Sequence, residues 1–397
     1  MKRLNPLLAA AVMMMAGCTS IATQSATAPV TDDPMTLGNP MTLGDTQLSP
    51  FYAYSDALEG APGQLLRQEP LQARQMLEHA GVNLRLLYSS TDGLSGEGLL
   101  PVSGVLYLPK GEAPAGGWPL MAWTHGTVGI ADICAPSYNG RQQQDMTYLN
   151  RFLAQGYAVV ASDYQGLGTA GTHPYLATRP AAYSNLDIIR AVKAAGFPVT
   201  DRVVLFGQSQ GAGAAIATAD YAPDYAPEIP LAGVVATGAP YFTDAALDAL
   251  ERIRKPDAID PMLGYSFLAM TLVQQVDPSF DMRDYISDAA WPIASRVKDT
   301  CYAEIKSMVT QAQLSRRISY TQSPSQALRA GFARMGYPDL KLNAPVFFGT
   351  GGKDQDTPPR MQAGLVRDLC KAGTKVQAVL YSDLDHRGVV LGSTDDS

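Results

Sequence analysis

Short runs of consecutive apolar residues recur from about residue 50 to the end of the chain. Between most of these runs lie longer segments in which apolar residues recur every three or four positions. Continuous apolar runs are typical of strands buried on both faces of a sheet, and the longer spacing is typical of amphipathic helices. The runs are LRLLY (84–88), VSGVLYL (102–108), PLMAW (119–123), YAVVAS (157–162), RVVLF (202–206), LAGVVATG (231–238), APVFFG (344–349) and VQAVLY (376–381). This alternation predicts an α/β fold with a mostly parallel sheet and helices on both faces.

One part of the chain interrupts this alternation. Between residues 241 and 341 the sequence has no convincing pair of strands, but several segments have helical spacing of apolar residues. Examples of these segments are TDAALDALERI, MLGYSFLAMTLVQQV, WPIASRVKDTCYAEIKSMV and SQALRAGFARMG. They predict a helical lid or cap inserted into an α/β core that consists of residues 51–240 and 342–397. The alternative is that the insertion has only a structural role.

The first 50 residues differ in composition from the rest of the chain. Lys2 and Arg3 precede LNPLLAAAVMMMAG, a short apolar segment that ends in small residues. This pattern predicts a signal peptide over residues 1–18. Residues 19–50 are rich in Ala, Thr, Gly and Pro, contain PMTLG twice and show no helix or strand periodicity, so we expect a flexible tether.

The end of the signal segment, Met15-Ala16-Gly17-Cys18, resembles the lipobox of bacterial lipoproteins. This resemblance implies that Cys18 is acylated and that the protein is exported and anchored by lipid to the bacterial outer membrane or the cell surface. Each acyl CH₂ buried in the membrane would contribute about 0.8 kcal/mol. The alternative is cleavage near Ala26 by ordinary signal peptidase, which would leave a periplasmic or secreted protein.

Composition narrows the possible partners. The chain has 397 residues, of which 46% are hydrophobic, so it can bury a sizeable core. Its formal net charge is −7 and it has no basic run or stripe, which argues against a nucleic-acid partner. We expect no metal and no other cofactor, because no metal-ligand spacing appears and GTGGKD (349–354) lacks the order of a phosphate-binding glycine loop. We also expect a monomer.

One serine lies between two glycines directly after a predicted strand, in FGQSQGAG (206–213). In a G-x-S-x-G turn the chain bends sharply from strand to helix and presents the serine hydroxyl in a strained backbone conformation. Gly207 and Gly211 occupy the positions at which a Cβ would crowd the strand and the helix. We therefore expect Ser209 to be a nucleophile, and the alternative is an ordinary serine in a turn.

A serine hydroxyl needs an adjacent base to act as a nucleophile. In α/β-hydrolases the nucleophile comes first along the chain, then the acid, then the histidine. His386 is the only histidine after Ser209 and directly follows the last apolar run, so we expect it to be the base. The loop after the penultimate run offers Asp354 and, in reserve, Asp356. The spacing Gly-x-x-Asp-x-x-Thr-Pro over residues 351–358 resembles the usual acid loop of hydrolases and favours Asp354, which would hold the imidazole in its working tautomer.

An oxyanion hole needs two preorganised N–H donors. One donor should be the amide of Gln210, directly after the nucleophile, and the other should come from a loop after an early strand. That loop is WTHGTVG (123–129), in which His125-Gly126-Thr127 matches the HG-X pattern. We expect the Thr127 amide to be the second donor and His125 to have a structural role in the loop.

With these residues assigned, the chain resembles the secretory lipase family of α/β-hydrolases, which includes fungal lipases of the lipase-A type and many bacterial relatives. The resemblance covers most of residues 51–395. It rests on the acid loop, the histidine loop, HGTVGIADICAPS (125–137), SDYQGLGTAGTHPYL (162–176) and GQSQGAG (207–213). It implies that a loop from Asp163 to Tyr175 lies beside the active site, with His173 and Tyr175 shaping the site rather than acting in catalysis. It also implies that the helical insertion covers an acyl-binding cleft and carries substrate selectivity.

Four cysteines are present, and lipidation of Cys18 would leave three, with three possible pairings for one disulfide. An oxidising compartment would permit such a bond. The family resemblance implies a disulfide from the oxyanion loop to the insertion, here Cys134 to Cys301, which would leave Cys370 free on a helix. The alternatives are two reduced thiols or a pair that involves Cys370.

The predicted chemistry is hydrolysis of carboxylic esters through an acyl-enzyme intermediate. The family resemblance implies lipid or other apolar acyl esters as substrates, in the class of triacylglycerol lipases and carboxylesterases. One alternative is acyl transfer to an acceptor other than water on the same triad. Another is a non-catalytic surface binding protein on a hydrolase scaffold. The sequence does not distinguish long-chain triacylglycerols from short-chain esters, aryl esters or polyesters.

Overall fold

A single ten-stranded sheet forms the centre of the computed structural model, which describes residues 22–24, 48–253 and 255–397. The strands are β1 (Ala22–Gln24), β2 (Leu65–Pro70), β3 (Ala80–Thr91), β4 (Leu99–Pro109), β5 (Trp118–Thr124), β6 (Ala158–Ser162), β7 (Val199–Gln208), β8 (Leu231–Thr237), β9 (Val346–Gly351) and β10 (Val376–Tyr381). In space their order is β1-β10-β9-β8-β7-β5-β6-β4-β3-β2. Neighbours from β1 to β6 pair in parallel, and β4, β3 and β2 extend the sheet in antiparallel pairs. The predicted α/β fold with a mostly parallel sheet is confirmed.

Helices cover both faces of this sheet. They are α1 (Pro136–Asn139), α2 (Gln143–Ala154), α3 (Thr178–Ala194), α4 (Gln210–Tyr225), α5 (Asp244–Ile253), α6 (Leu263–Val276), α7 (Trp291–Ala294), α8 (Tyr302–Gln311), α9 (Arg316–Ser319), α10 (Ser325–Arg334), α11 (Pro359–Ala372) and α12 (Gly388–Gly392). Buried residues of α3, α4 and α11 form one cluster with Leu120 and Ala122 of β5, whereas those of α2 and α12 cluster with Met121 and Trp123. Successive residues of β5 thus face opposite sides of the sheet, and both sides are buried. This is why the strand has an unbroken apolar sequence.

The strand order reverses at β5 and β6. β6 follows β5 in the chain and lies between β5 and β4 in the sheet. The next strand, β7, pairs with the other edge of β5. The carboxyl ends of parallel strands lie at one edge of a sheet, and ligands of such folds bind where the strand order reverses. The loops that follow β5, β7, β9 and β10 therefore meet at this edge.

The stretch between β8 and β9 contains α5 to α10 and has a buried cluster of its own. Within its described residues, β pairing is limited to two isolated bridges, Ile259 with Ser315 and Ile286 with Tyr320. The cluster extends to Tyr175 of the core, so the helical unit packs onto the core near the reversal of strand order. This helical unit is hereafter called the cap. The inserted domain expected over residues 241–341 and its role as a lid both stay predictions.

The two strands at the ends of the sheet depart from the sequence prediction. β1 lies in the segment expected to be a tether, yet it pairs in parallel with β10. β2 has the sequence LLRQEP, which is not an apolar run, and it pairs with β3. An edge strand is held by main-chain hydrogen bonds to one neighbour, so it needs no continuous apolar sequence. The predicted signal peptide with Cys18 and most of the tether lie outside the described residues. No helix in the described part of the chain has the length and hydrophobicity to span a membrane.

Candidate active site

Ser209 lies on the sharp turn between β7 and α4. Its backbone angles, φ 58° and ψ −124°, belong to a region that residues with side chains rarely adopt. Its N–H donates to Thr237 O at 2.9 Å, which fixes the turn to β8. A Cβ on Gly207 would lie 2.2 Å from Gly211 O, and a Cβ on Gly211 would lie 1.9 Å from Thr124 O. Only glycine at these two positions allows β5, β7 and α4 to approach so closely.

His386 and Asp354 are in contact at the same edge of the sheet. His386 Nδ1 lies 2.7 Å from Asp354 Oδ2, and both residues are buried. Gly238 follows β8 and makes room for the imidazole, because a Cβ there would lie 3.0 Å from His386 Cε1 and Nδ1. Gln208, the residue before Ser209, donates from Nε2 to His386 O at 3.2 Å. These contacts bring the histidine loop to the turn that carries Ser209.

Asp354 accepts hydrogen bonds at both carboxylate oxygens. Oδ1 accepts from Asp356 N at 2.9 Å and from Thr357 N at 2.8 Å. Oδ2 accepts from Thr357 Oγ1 at 2.9 Å, from Gln362 Nε2 at 3.0 Å and from His386 Nδ1. Every partner is a donor, so the cost of burying the carboxylate is offset. Thr357 belongs to the acid loop, but its hydrogen bonds to the carboxylate were not predicted. Nothing in the sequence marks Gln362.

The other acidic residues near His386 in sequence or space have different surroundings. Asp356, the reserve candidate, lines the cleft described below. Asp383 is exposed and forms an ion pair with a lysine. Asp385 accepts from two main-chain N–H groups at the start of α12. Of these four carboxylates, Asp354 is the one in contact with His386.

The residues expected to supply the oxyanion donors lie on two sides of Ser209. Gln210 is the first residue of α4, and the N–H groups of a first helical turn have no acceptor within the helix. Thr127 lies in the loop after β5, and its Oγ1 is 2.7 Å from Tyr175 Oη. Both residues line the same cleft as Ser209. The structure thus brings Ser209 and the two residues expected to supply the oxyanion donors to one opening.

His125 anchors the loop that carries Thr127. Its Nδ1 lies 2.7 Å from Gly126 O, and its Nε2 lies 3.2 Å from Asp163 O. Burial lowers the pKa of His125 to about 4, so the ring is neutral near pH 7. The ring is buried against main-chain oxygens, and the structural role expected for His125 stays a prediction.

A cleft of about 150 Å³ opens from Ser209 toward the cap. Its walls are mostly apolar and include Leu176, Phe242, Ala269, Leu328, Phe332 and Met361. The cap also contributes polar side chains to the lining, namely Asp248, Arg316 and Arg329. No group of three or more His, Cys, Asp or Glu side chains that could hold a metal ion occurs in the described ranges.

A disulfide joins Cys134, in the segment after the loop that carries Thr127, to Cys301 in the cap, with the two Cα atoms 5.5 Å apart. Next to it, Tyr302 N donates to Val128 O at 2.8 Å. The segment that follows β5 is therefore attached to the start of α8 by a covalent bond and a hydrogen bond. The expectation that Cys370 is free was wrong, because Cys370 is disulfide-bonded as well.

We expect the double substitution Cys134→Ser/Cys301→Ser to lower the free energy of unfolding by about 2–5 kcal/mol. The two cysteines are separated by 167 residues, so the bond removes much freedom from the unfolded chain. Urea unfolding of the oxidised proteins measures the difference. With a strong reductant present, the wild type and the double variant should unfold at the same urea concentration. Equal midpoints under oxidising conditions would contradict the prediction.

Comparisons with known proteins agree with this architecture. The model of the family described as "Secretory lipase" matches residues 136–377. The "Probable inactive lipase MT1628" of Mycobacterium tuberculosis is 27% identical over 201 residues, which cover 47% of this chain and 44% of that protein. The chain spans less than half the length of the curated relatives that it matches.

Solved structures show the same fold. The rice cell wall degrading esterase LipA from Xanthomonas oryzae superposes with a TM-score of 0.65 at 21% identity, covering 84% of this chain and 94% of that one. Candida antarctica lipase A gives a TM-score of 0.66 at 19% identity, covering 85% and 80%. At such identities the likeness concerns the fold alone, which is that of the α/β-hydrolases. Because the family model matches more than half of its residues, the chain belongs to the secretory lipase family.

Proposed function

We propose that the protein is a serine carboxylic-ester hydrolase in which Ser209 is the nucleophile, His386 the base and Asp354 the acid. The observation that carries the proposal is the 2.7 Å contact between His386 Nδ1 and Asp354 Oδ2, at the sheet edge where Ser209 stands on its strained turn. The acid follows β9 and the histidine follows β10, which is the chain order of α/β-hydrolases.

In the proposed reaction, Ser209 Oγ attacks the ester carbonyl while His386 Nε2 takes the hydroxyl proton. The main-chain N–H groups of Gln210 and Thr127 stabilise the oxyanion. The alcohol leaves with the proton from His386, and an acyl-enzyme remains. Water then attacks the acyl carbon, with the same histidine as base, and releases the carboxylic acid. Asp354 holds the Nδ1–H tautomer of His386 and stabilises the imidazolium that forms in each step.

The mostly apolar cleft supports a lipid or other apolar acyl ester as the substrate. Aromatic and aliphatic side chains from both the core and the cap line it, so we assign the cap the role of a lid that shapes the acyl site. Export of the protein is part of the same proposal, and the family's description as secretory supports it.

One relative has the name "Probable inactive lipase", which is relevant to the alternative of a binding protein on a hydrolase scaffold. The buried contact between His386 and Asp354 favours catalysis here. A binding protein has no need of a buried carboxylate held by donors on every side and directed at an imidazole.

The purified protein should hydrolyse nitrophenyl esters and emulsified triglyceride, with the free acid as the main product. The assays are run with and without a competing primary alcohol, and the products are analysed for free acid and for new ester. This comparison separates hydrolysis from acyl transfer. New ester as the main product in dilute alcohol would replace hydrolysis by acyl transfer. Stoichiometric binding of esters without turnover would refute the enzyme proposal.

A further inference from the structure

The segment between β6 and α3 contacts the side chains of both proposed oxyanion donors. His173 belongs to this segment, and its Nε2 lies 3.1 Å from Gln210 Nε2. Two residues further, Tyr175 Oη lies 2.7 Å from Thr127 Oγ1. Gln210 and Thr127 belong to different elements, α4 and the loop after β5, and this single segment is bonded to both.

The hydrogen bonds of His173 specify its tautomer. Its Nδ1 lies 2.9 Å from Gln165 O, which can only accept, so Nδ1 carries the proton. Burial lowers the pKa of His173 to about 4, so the ring is neutral near pH 7. Nε2 is then an acceptor, and it receives a hydrogen bond from the amide group of Gln210. The side chain of Gln210 is thereby held by a fixed, uncharged acceptor.

A stack of three buried rings makes this segment rigid. The ring of Tyr164 stacks on His125 with centroids 4.2 Å apart and on His173 with centroids 6.0 Å apart. Tyr164 Oη donates to His125 O at 2.9 Å. Tyr164 also has a φ of 73°, a strained conformation that persists only when the surroundings enforce it. The stack therefore connects the base of the Thr127 loop to the residue that holds Gln210.

We propose that His173 and Tyr175 are positioning residues that hold the two oxyanion donors at the spacing the transition state requires. This inference rests on the proposed function. The donors act on charge that develops only in the transition state, so loss of their spacing lowers kcat and leaves KM nearly unchanged. Small displacements of catalytic groups have large effects on rate.

The test compares two substitutions at one position with a short-chain nitrophenyl ester as substrate. His173→Phe keeps a ring in the stack and removes the acceptor, whereas His173→Gln removes the ring and places an acceptor oxygen the same number of bonds from Cβ. We expect His173→Phe to lower kcat ~10-fold with KM changed less than ~2-fold, and His173→Gln to recover most of the loss. If the residue only packs, the order reverses, and that result overturns the proposal.

Two further variants keep the test decisive if His173→Phe loses stability. In a Gln210→Leu background, His173→Phe should cause no additional loss of kcat, because its partner is already absent. Tyr175→Phe removes only one oxygen and should lower kcat ~5-fold at constant KM. Additive losses of kcat in the Gln210→Leu/His173→Phe variant would overturn the positioning role of His173. An unchanged kcat in Tyr175→Phe would overturn that of Tyr175. Melting temperatures identify variants that have lost the fold.

The result also separates this inference from the proposed function. If the wild type hydrolyses no ester, the proposed function fails and the inference fails with it. If the wild type hydrolyses esters through Ser209 and the His173 variants show the reversed order, only the inference is overturned.

Discussion

Replacement of Ser209 by alanine should lower kcat for ester hydrolysis by a factor on the order of 10⁶. Without the hydroxyl no acyl-enzyme can form, and only the oxyanion donors and substrate binding remain to accelerate direct attack by water. Alanine keeps the Cβ, so the strained turn is unchanged. The kcat of the purified variant on a nitrophenyl ester measures the effect.

A second serine in the same cleft provides the matched control. Ser266, on α6, lines the cleft but has no part in the proposed chemistry, so Ser266→Ala should keep kcat within ~3-fold of the wild type. An organophosphate should add its mass to the peptide that contains Ser209 in the wild type and in Ser266→Ala. Hydrolysis at the wild-type rate in Ser209→Ala would disprove the assignment.

The second large effect is expected for Asp354→Asn, which should lower kcat by about 10⁴-fold. Both carboxylate oxygens accept only from donors, namely the Asp356 and Thr357 amides on one side and Thr357 Oγ1, Gln362 Nε2 and His386 Nδ1 on the other. The amide NH₂ of asparagine would therefore face donors in either orientation. Facing His386, it would favour the tautomer in which Nε2 carries the proton and cannot act as a base.

Asp356→Asn is the matched control for this substitution. It changes the same functional group two residues away, in the wall of the cleft, and should reduce kcat by less than ~10-fold. Measurement of kcat for both variants on one ester decides between the two carboxylates. A large loss in Asp356→Asn together with near-normal activity in Asp354→Asn would reverse the assignment of the acid.

The parallel core could be predicted from the sequence because β5 and its neighbours are buried on both faces and must be apolar throughout. The meeting of the loops that carry Ser209 and His386 also follows from local sequence, since each lies directly after a predicted strand and parallel strands end at one edge. These features depend on residues close together in the chain.

The contacts around the site could not be predicted in the same way. Nothing in the sequence marks Gln208, yet its side-chain amide donates to the main chain of His386, 178 residues away. Gln362 reaches the acid from the first turns of α11 and belongs to no recognisable pattern. The bonded state of Cys370 was kept only as an alternative, because the family resemblance implied the single pair of Cys134 with Cys301. Such contacts arise from the packing of distant segments.

The attachment of the loop after β5 to the cap restricts how the mouth of the cleft can widen. The start of α8 is held at Cys301 by the disulfide and at Tyr302 by the bond to Val128, so this side of the cap cannot swing outward without dragging the loop with it. The opposite wall consists of α5 and α10, which are joined to each other by the ion pair of Arg329 with Asp244 at the surface. If the cap opens, we therefore expect the start of α8 to move least and α5 and α10 to be displaced furthest from Ser209.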